Sequence, residues 1–388
     1  MKRTLLFIFL VGYLGVYAQH GQKGTVLSLE DGTPLEFVSV YNGADRTFTN
    51  EDGRFRLVSQ QDSVYFFLPG YQRLGTLLSS LKDTIFLKKN VVALDEVVVT
   101  NAKSILQRIK DSLAVNYQLS PHTETFFLRA LLRRNDTMVR LQDMYGRVQR
   151  KTALYTGNLE LEKKDFQVNL MQMRQLGITK DKDRVYFIFP SFYFIFKELV
   201  RINAMGPDFE VIEKPMESSQ EIRVEFNNNK IDRPGGSSGH YIINAGDNAI
   251  RYFEAITQMP LPASLKGEKE YSHPTKMEHS LFFEKNGESG QYYMSYGKLK
   301  AVVVVQRERQ KWPSFYQMEI ILHVTAPHSD PNIKSNVNEH KDLFKVRAPY
   351  DQAFWQSQNQ LLLTQEMQRF IKRMSSADNP YSVRGNLD

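Results

Sequence analysis

Thr125-Phe126-Phe127-Leu128-Arg129-Ala130-Leu131-Leu132-Arg133, with Arg134-Asn135-Asp136 and then Met138 to Val148 behind it, decides how the chain is read. Phe126, Leu128, Ala130 and Leu132 recur at every second residue, the period of a strand with one apolar face. Arg133-Arg134-Asn135-Asp136 has turn chemistry, so the two runs make a hairpin. Seven cations (Arg129, Arg133, Arg134, Arg140, Arg147, Arg150 and Lys151) stand there against Asp136 and Asp143. On hairpin strands they are expected to form a solvated face, the functional option being contact with acidic headgroups or glycans.

The same strand period continues downstream at Gln220 to Phe226, His240 to Asn244, Ala249 to Phe253, Tyr292 to Ser295, Lys298 to Gln306 and Tyr316 to Val324. Three helices are expected among them. Asn101 caps one with Ile105, Leu106, Ile109 and Leu113 at 3-4 spacing. A second starts near Pro190, a favourable first-turn residue, and lines up Phe192, Ile195, Phe196, Leu199 and Ile202. The third carries Met367, Phe370, Ile371 and Met374. The aromatic run 185–196 reads as core at this spacing, and a membrane-inserting patch is its alternative.

Upstream, from Gly24 to Lys89, short strands alternate with turn clusters: Asp31-Gly32-Thr33-Pro34, Asn42-Gly43, Asn50-Glu51-Asp52-Gly53 and Pro69-Gly70. This spacing suggests two facing antiparallel sheets. Gly53 fits a turn position with positive φ. The order Gly24-Thr25-Val26, Asp31-Gly32-Thr33-Pro34-Leu35, Val38-Ser39-Val40, Thr49 to Phe55 and Gly70-Tyr71 resembles the carboxypeptidase-regulatory-like domain over about residues 22–89. That resemblance implies a seven-stranded, transthyretin-like β-sandwich of the Gram-negative envelope. It implies no peptidase chemistry: none of the eight histidines has Glu at the next or the third following position. Leu94-Asp95-Glu96-Val97-Val98-Val99-Thr100 is similar to the segment that follows this sandwich in TonB-dependent receptors. Leu94, Glu96, Val97, Val98 and Val99 are thus a candidate contact strand, with internal edge pairing as the other reading. Asn116-Tyr117, the Phe126 to Arg133 strand and the hairpin His240 to Asn244 with Ala249-Ile250 resemble a group of envelope proteins that carry the same sandwich, and the hairpin is similar to that of lipoprotein-carrier-like half-barrels, open antiparallel sheets filled by helices.

The expected fold is therefore mainly β with some α, an amino-terminal seven-stranded sandwich plus a larger antiparallel-sheet α+β domain. Its divisions are a signal peptide at 1–18, the sandwich at 19–90, a linker or extended strand at 91–101, the sheet and helix domain at 102–325 and a carboxyl-terminal helical segment with a polar tail at 326–388. Lys2-Arg3, the apolar run from Leu5 to Leu14 and Val16-Tyr17-Ala18 have the layout of a secretory leader with Gln19 as the mature start. The apolar run is short of the ~20 residues a spanning helix needs.

The chain holds 50 basic and 43 acidic residues, two of the basic ones in the leader, and no cysteine. That excess does not imply nucleic acid. The missing thiols exclude disulfides, thiolate metal sites and cysteine nucleophiles. Gly235-Gly236-Ser237-Ser238-Gly239 matches G-x-S-x-G beside His240, yet lacks the strand-turn-helix setting of a nucleophile elbow and reads as a flexible hairpin loop. No catalytic, cofactor or metal residues are expected. The functional expectation is an exported, non-enzymatic protein of the periplasm or outer membrane, peripheral if membrane-associated, with another envelope protein as partner. The first alternative is a carrier of an amphipathic or lipid ligand, with Phe192, Phe196 and Leu199 lining its groove. A serine hydrolase using Ser237 is the second. Mass spectrometry of the exported chain is expected to find Gln19 at its amino end; a chain in the envelope fraction that keeps Met1 would contradict the leader.

Overall fold

In this computed structural model the described residues are 20–43, 45–90, 98–99, 102–152, 155–156, 162, 165–180, 185–199, 201–202, 209–216, 220–228, 235–265, 267–308, 310–325, 327–328, 333–357, 359, 361–376 and 380–387. The leader, the Asn101 cap and Leu94, Glu96 and Val97 of the candidate contact strand lie outside them. The chain divides into two compact units, one of residues 1–68, 73–87 and 358–362, the other of 69–72, 88–357 and 363–388.

Among the described residues the first unit has seven strands: β1 (His20–Ser28), β2 (Ser39–Tyr41), β3 (Arg46–Phe48), β4 (Arg54–Ser59), β5 (Ser63–Phe67), β6 (Leu74–Leu77) and β7 (Thr84–Leu87). They form two sheets, ordered β4-β1-β7 and β3-β2-β5-β6. The β1–β7 pair is parallel, which corrects the expectation of wholly antiparallel sheets. Val26, Val40, Phe55, Val64 and Phe66 are wholly buried, and the Phe55 ring meets Phe66 edge-on at 5.5 Å. Gly53 has φ +70°, and a Cβ there would fall 2.5 Å from the Val26 carbonyl oxygen, so the turn requires glycine. Asn50 Oδ1 accepts from the amides of Asp52 and Arg54 and closes that turn. Asn359 borders β4: its side chain accepts from Val58 N at 2.6 Å and donates to Val58 O at 2.8 Å, as a neighbouring strand would.

The second unit is built on one open sheet of twelve strands: β8 (Val98–Val99), β9 (His122–Arg134), β10 (Thr137–Arg150), β12 (Phe166–Lys180), β14 (Glu210–Pro215), β15 (Glu221–Asn227), β16 (Gly236–Asn244), β17 (Ile250–Gln258), β18 (Tyr271–Lys285), β19 (Tyr292–Gln306), β20 (Ser314–Val324) and β21 (Ser382–Gly385). Two short strands, β11 (Tyr155–Thr156) and β13 (Arg201–Ile202), pair separately. The order is β21-β12-β10-β9-β20-β19-β18-β17-β16-β15-β14-β8, and every neighbouring pair is antiparallel. Among the described residues four helices accompany it: α1 (Ala102–Asn116), α2 (Phe192–Glu198), α3 (Gln352–Ser357) and α4 (Gln365–Met374). The fold is thus mainly β with some α, as expected. The carboxyl-terminal chain is no separate polar tail, because β21 extends the large sheet beside β12.

Directly opposed residues of antiparallel strands share a face, so the registers define two sides. On the inner side lie Phe126, Leu128, Ala130 and Leu132, all buried, opposite Val324, Leu322, Ile320 and Met318. α2 covers this side: Phe126 meets Phe192 at 5.8 Å and Phe196 at 5.7 Å. Farther along, α1 ends in Asn116-Tyr117, whose Tyr117 hydroxyl accepts from Ile250 N at 2.6 Å and donates to Ile250 O at 2.9 Å. That bond pair, with Asn116 Nδ2 donating to Asp247 O at 2.6 Å, staples the β16–β17 turn to the helix.

The outer side of β9, β10 and β12 is covered too. Phe127 meets Trp355 of α3 at 6.4 Å, and Met367, Phe370 and Met374 of α4 are buried. Covering both faces encloses three of the seven hairpin cations. Arg129, Arg140 and Arg150 are 0%, 6% and 1% exposed, which corrects the expectation of a solvated basic face. Arg129 grips Asp143 with two bonds of 2.8 and 3.0 Å, and Arg174 donates to the same carboxylate at 3.1 Å. Arg150 pairs with Glu124 at 2.7 Å on the inner side. Burial raises the pKa of Asp143, but the charges of Arg129 and Arg174 outweigh it and hold the group below its ordinary value. Asp143→Asn strands two guanidiniums and is expected to cost about 3–5 kcal/mol. Replacing Arg129, Asp143 and Arg174 together by Met, Leu and Met should recover most of that in denaturant unfolding, and a loss under about 1 kcal/mol for the single variant would show the cluster to be unimportant.

Candidate ligand-binding pocket

Residues 185–199 take their conformation from where their apolar groups fall. Phe192, Ile195, Phe196 and Leu199 lie at i, i+3, i+4 and i+7, one stripe of a helix, and all four are wholly buried. Each such burial is worth ~1.5–3 kcal/mol, so the stripe fixes the rotation of α2. Ser191 caps it, its Oγ accepting from Phe194 N at 3.3 Å. Pro190 therefore precedes the cap and does not open the first turn. The helix ends with Leu199 as its C-cap, and Ile202, expected on the stripe, sits in β13. With the stripe turned to the sheet, Phe194 faces outward, 39% exposed, and Ile188 in the segment before the helix is 76% exposed.

Beside these two residues is an open cavity of about 400 Å³. Its apolar wall is Phe187, Ile188, Phe189, Phe194 and Met318, and His340 and Asp342 stand on its polar side with Ser191. The 339–345 segment is held to α2 by Tyr193 N donating to Glu339 O at 2.9 Å and by Tyr193 stacking on His340 at 4.6 Å. Asp342 Oδ1 accepts from Phe344 N at 2.9 Å and caps the turn 343–345. Arg140 supports the wall from inside the sheet. It donates to Phe187 O at 3.0 Å and lies 4.3 Å over the Phe344 ring and 5.9 Å over Phe189. Burial lowers its pKa, and the charge of Asp342 opposes that shift. Gly177 makes room for this layer, because a Cβ there would lie 2.7 Å from Arg140 Cγ and 2.8 Å from the Phe344 ring. A second cavity, beside Ile109 of α1, has only about 10 Å³ and is too small for a ligand.

The structure separates the residues expected at a site. Phe192, Phe196 and Leu199 fill the sheet face as core and line no open groove; their outward neighbour Phe194 borders the pocket. The spacing that marks the stripe also places Phe194 opposite it, so this signal was present in the sequence. Met318, His340 and Asp342 come from distant segments that no local pattern joins. Of the candidate contact strand, Val98 and Val99 pair with Glu213 and Ile212 of β14, which is internal edge pairing. Ser237 lies within β16, not in a loop, and its Oγ is 2.9 Å from Thr257 Oγ1. His240, three residues along the strand, points to the opposite face, so the G-x-S-x-G match brings no imidazole to the serine.

No protein-family model matches the chain, and no curated protein sequence matches it. Among solved structures, one titled "Lipid-protein interactions in lipovitellin" aligns with 58% of this chain and 27% of its own, at 7% identity and a TM-score of 0.23. The chain thus spans about a quarter of that lipovitellin, and a likeness at this level carries no argument.

His240 occupies the outer side of the sheet, opposite Glu225 and Glu254, its ring 5.4 Å from Tyr252. Burial, then the charge of Arg223, pushes its pKa down to about 4, against the opposing charge of Glu225. The unfolded chain binds this proton more readily, so stability rises with pH from about 4 to the ordinary value of 6.5. The stability His240 contributes is complete above that value and is lost as pH falls through the window. Urea unfolding between pH 4 and 7 is expected to show a shallower acid loss in His240→Gln than in the wild type. Parallel curves would contradict the assignment.

Proposed function

We propose that this chain is an exported, non-enzymatic binding protein of the cell envelope whose larger unit holds the apolar part of an amphipathic ligand against α2. The observation that carries this reading is the cavity of about 400 Å³ with an aromatic wall and a polar side at His340 and Asp342. Its size fits a small-molecule site, and the division of its lining suits a ligand with an apolar body and a polar end. Ser237 is engaged with Thr257 and turned from His240, which favours binding over hydrolysis. The amino-terminal sandwich, in this reading, docks the protein on an envelope partner.

Native mass spectrometry of protein taken gently from envelope fractions is expected to show a co-purified mass of lipid size. Phe194→Asp places a charge on the wall at a part-exposed position that tolerates it, and is expected to reduce occupancy about tenfold while leaving the unfolding midpoint nearly unchanged. A bare chain mass from every preparation, together with no uptake of added lysophospholipid, would remove the proposal.

A further inference from the structure

We propose that Arg347 and Arg384 form a binding site for a phosphate group where the edge strand β21 meets β12. The site is separate from the pocket beside α2, since neither arginine lines that pocket. Registers across three strands build it. Arg384 stands opposite Gly177, and Gly177 opposite Arg140. Directly opposed residues share a face, so Arg140 and Arg384 lie on the inner side of the sheet, flanking a residue without a side chain. The Phe344 ring fills that gap, 2.8 Å from where a Cβ of Gly177 would stand. Arg140 lies 4.3 Å over the ring, and Arg384 Nη1 donates to the Phe344 carbonyl at 3.5 Å. The same carbonyl accepts from Gln175 Nε2 at 2.9 Å, and Gln175 Oε1 accepts from Arg347 Nη1 at 2.6 Å. One carboxamide thus bridges the attachment points of Arg347 and Arg384.

The charges of this cluster are not balanced. Elsewhere on these strands guanidiniums meet carboxylates: Arg129 and Arg174 on Asp143, Arg150 on Glu124 and Arg133 on Glu366. Among the described residues Arg140, Arg347 and Arg384 form no such pair; each bonds only to carbonyl oxygens of the backbone or of Gln175. The segment 339–347 adds the exposed Lys341 and Lys345 and two acids. Asp342 is engaged with Phe344 N, and buried Glu339 accepts from Ser335 Oγ. Burial, then the charge of Arg384, lowers the pKa of Arg347, and no carboxylate opposes the shift. For Arg140 burial is the first cause; Asp342 and Tyr316 oppose it, and Arg384 adds to it. Arg384 is therefore a like-charged neighbour of both other arginines.

A guanidinium carries five N–H donors in a planar fork. Arg347 and Arg384 spend Nη1 on the protein and keep Nε and Nη2 for an incoming oxyanion. Arg347 is exposed and Arg384 half-buried, so water reaches both. Buried Arg140 acts only through its charge, from behind the Phe344 ring. A carboxylate is satisfied by one fork. Two forks backed by a third positive charge suit a phosphate group, which has three acceptor oxygens and a charge of about −1.5 to −2.

Calorimetric titration of the intact chain in phosphate-free, low-salt buffer tests this, with inorganic phosphate, dihexanoyl phosphatidic acid and acetate as probes. Phosphate is expected to bind saturably, and acetate about tenfold more weakly. Arg347→Lys keeps the charge and loses the fork; it and Arg384→Gln are each expected to weaken phosphate binding about tenfold. Lys345→Gln removes the same charge as Arg384→Gln from an exposed neighbour and is expected to change it by less than about twofold. Unfolding midpoints recorded alongside separate lost binding from lost fold, and Phe194→Asp in the pocket is expected to leave phosphate binding unchanged. Tighter binding of the phosphatidic acid than of inorganic phosphate supports a lipid headgroup as the source, and equal binding supports free phosphate. Absence of saturable phosphate binding overturns the proposal, as does acetate bound equally well. An equal loss in Lys345→Gln also overturns it, by assigning the binding to diffuse surface charge. So does phosphate binding that emerges only when Asp388 is deleted, because an anion of the chain itself would then be the occupant.

Discussion

The packing of the Phe192, Ile195, Phe196 and Leu199 stripe on the Phe126 face of the large sheet is the constraint from which the rest of this unit follows. Phe196 stacks with Phe192 at 5.9 Å and with Phe166 at 5.9 Å, and Gly297 on β19 lacks the Cβ that would stand 3.2 Å from Leu199. A helix so short has little stability of its own and exists because that stripe is buried. Once its rotation is set, Phe194 has no place inside, and Ile188, in the segment before the helix, is exposed beside the same pocket. The pocket is therefore a consequence of core packing: the same periodicity that fills the sheet leaves an apolar remainder outside, beside the polar groups of the 339–345 segment.

Enclosure of β9, β10 and β12 on both sides has a second consequence. The buried arginines and acids of these strands cannot be returned to water, so they are paired or hydrogen-bonded internally. Asp143 serves Arg129 and Arg174, Glu124 serves Arg150 and lies 3.3 Å from His122, and Arg140 uses backbone carbonyls and aromatic rings. Such clusters add little net stability compared with apolar packing, but removing one partner is costly. They tie the outer layer, through Trp355 lying 5.0 Å from the Arg174 guanidinium, to the strands that also hold the pocket wall.

Much of this was legible in the sequence. The hairpin of β9 and β10, the stripes of α2 and α4, the turn glycine at 53 and most of the short strands of the first unit follow from period and turn chemistry, whereas the count of seven was only what the resemblance implied and β6 carried no pattern of its own. Several strands escaped the reading, and β12, β14 and β18 of the large sheet show the physical reasons. β12 alternates Phe166, Val168 and Leu170 with Gln167 and Asn169, then shifts phase at the irregularity beside Met171, so its apolar period is broken midway. β14 and β18 are short of strong alternation as well, with Pro215 and Pro274 inside strands where proline is usually read as a stop. The burial of Arg129 was invisible because the outer layer of α3 and α4 lies more than two hundred residues away, and that of Arg150 because Phe196 of α2, 4.9 Å from its guanidinium, reaches it only through the fold. For the same reason the pocket was half legible: the helix spacing contains Phe194, while Met318, His340 and Asp342 join it only through the fold.

The central claim, a ligand seated against the outward face of α2, is tested most directly by methyl NMR of the intact chain labelled at isoleucine and methionine, titrated with a lysophospholipid below its micelle concentration. The account predicts saturable shifts concentrated at Ile188 and Met318, with the wholly buried Ile195 and Ile320 nearly still. Shifts spread evenly over surface methyls, or none at all at Met318, would contradict it.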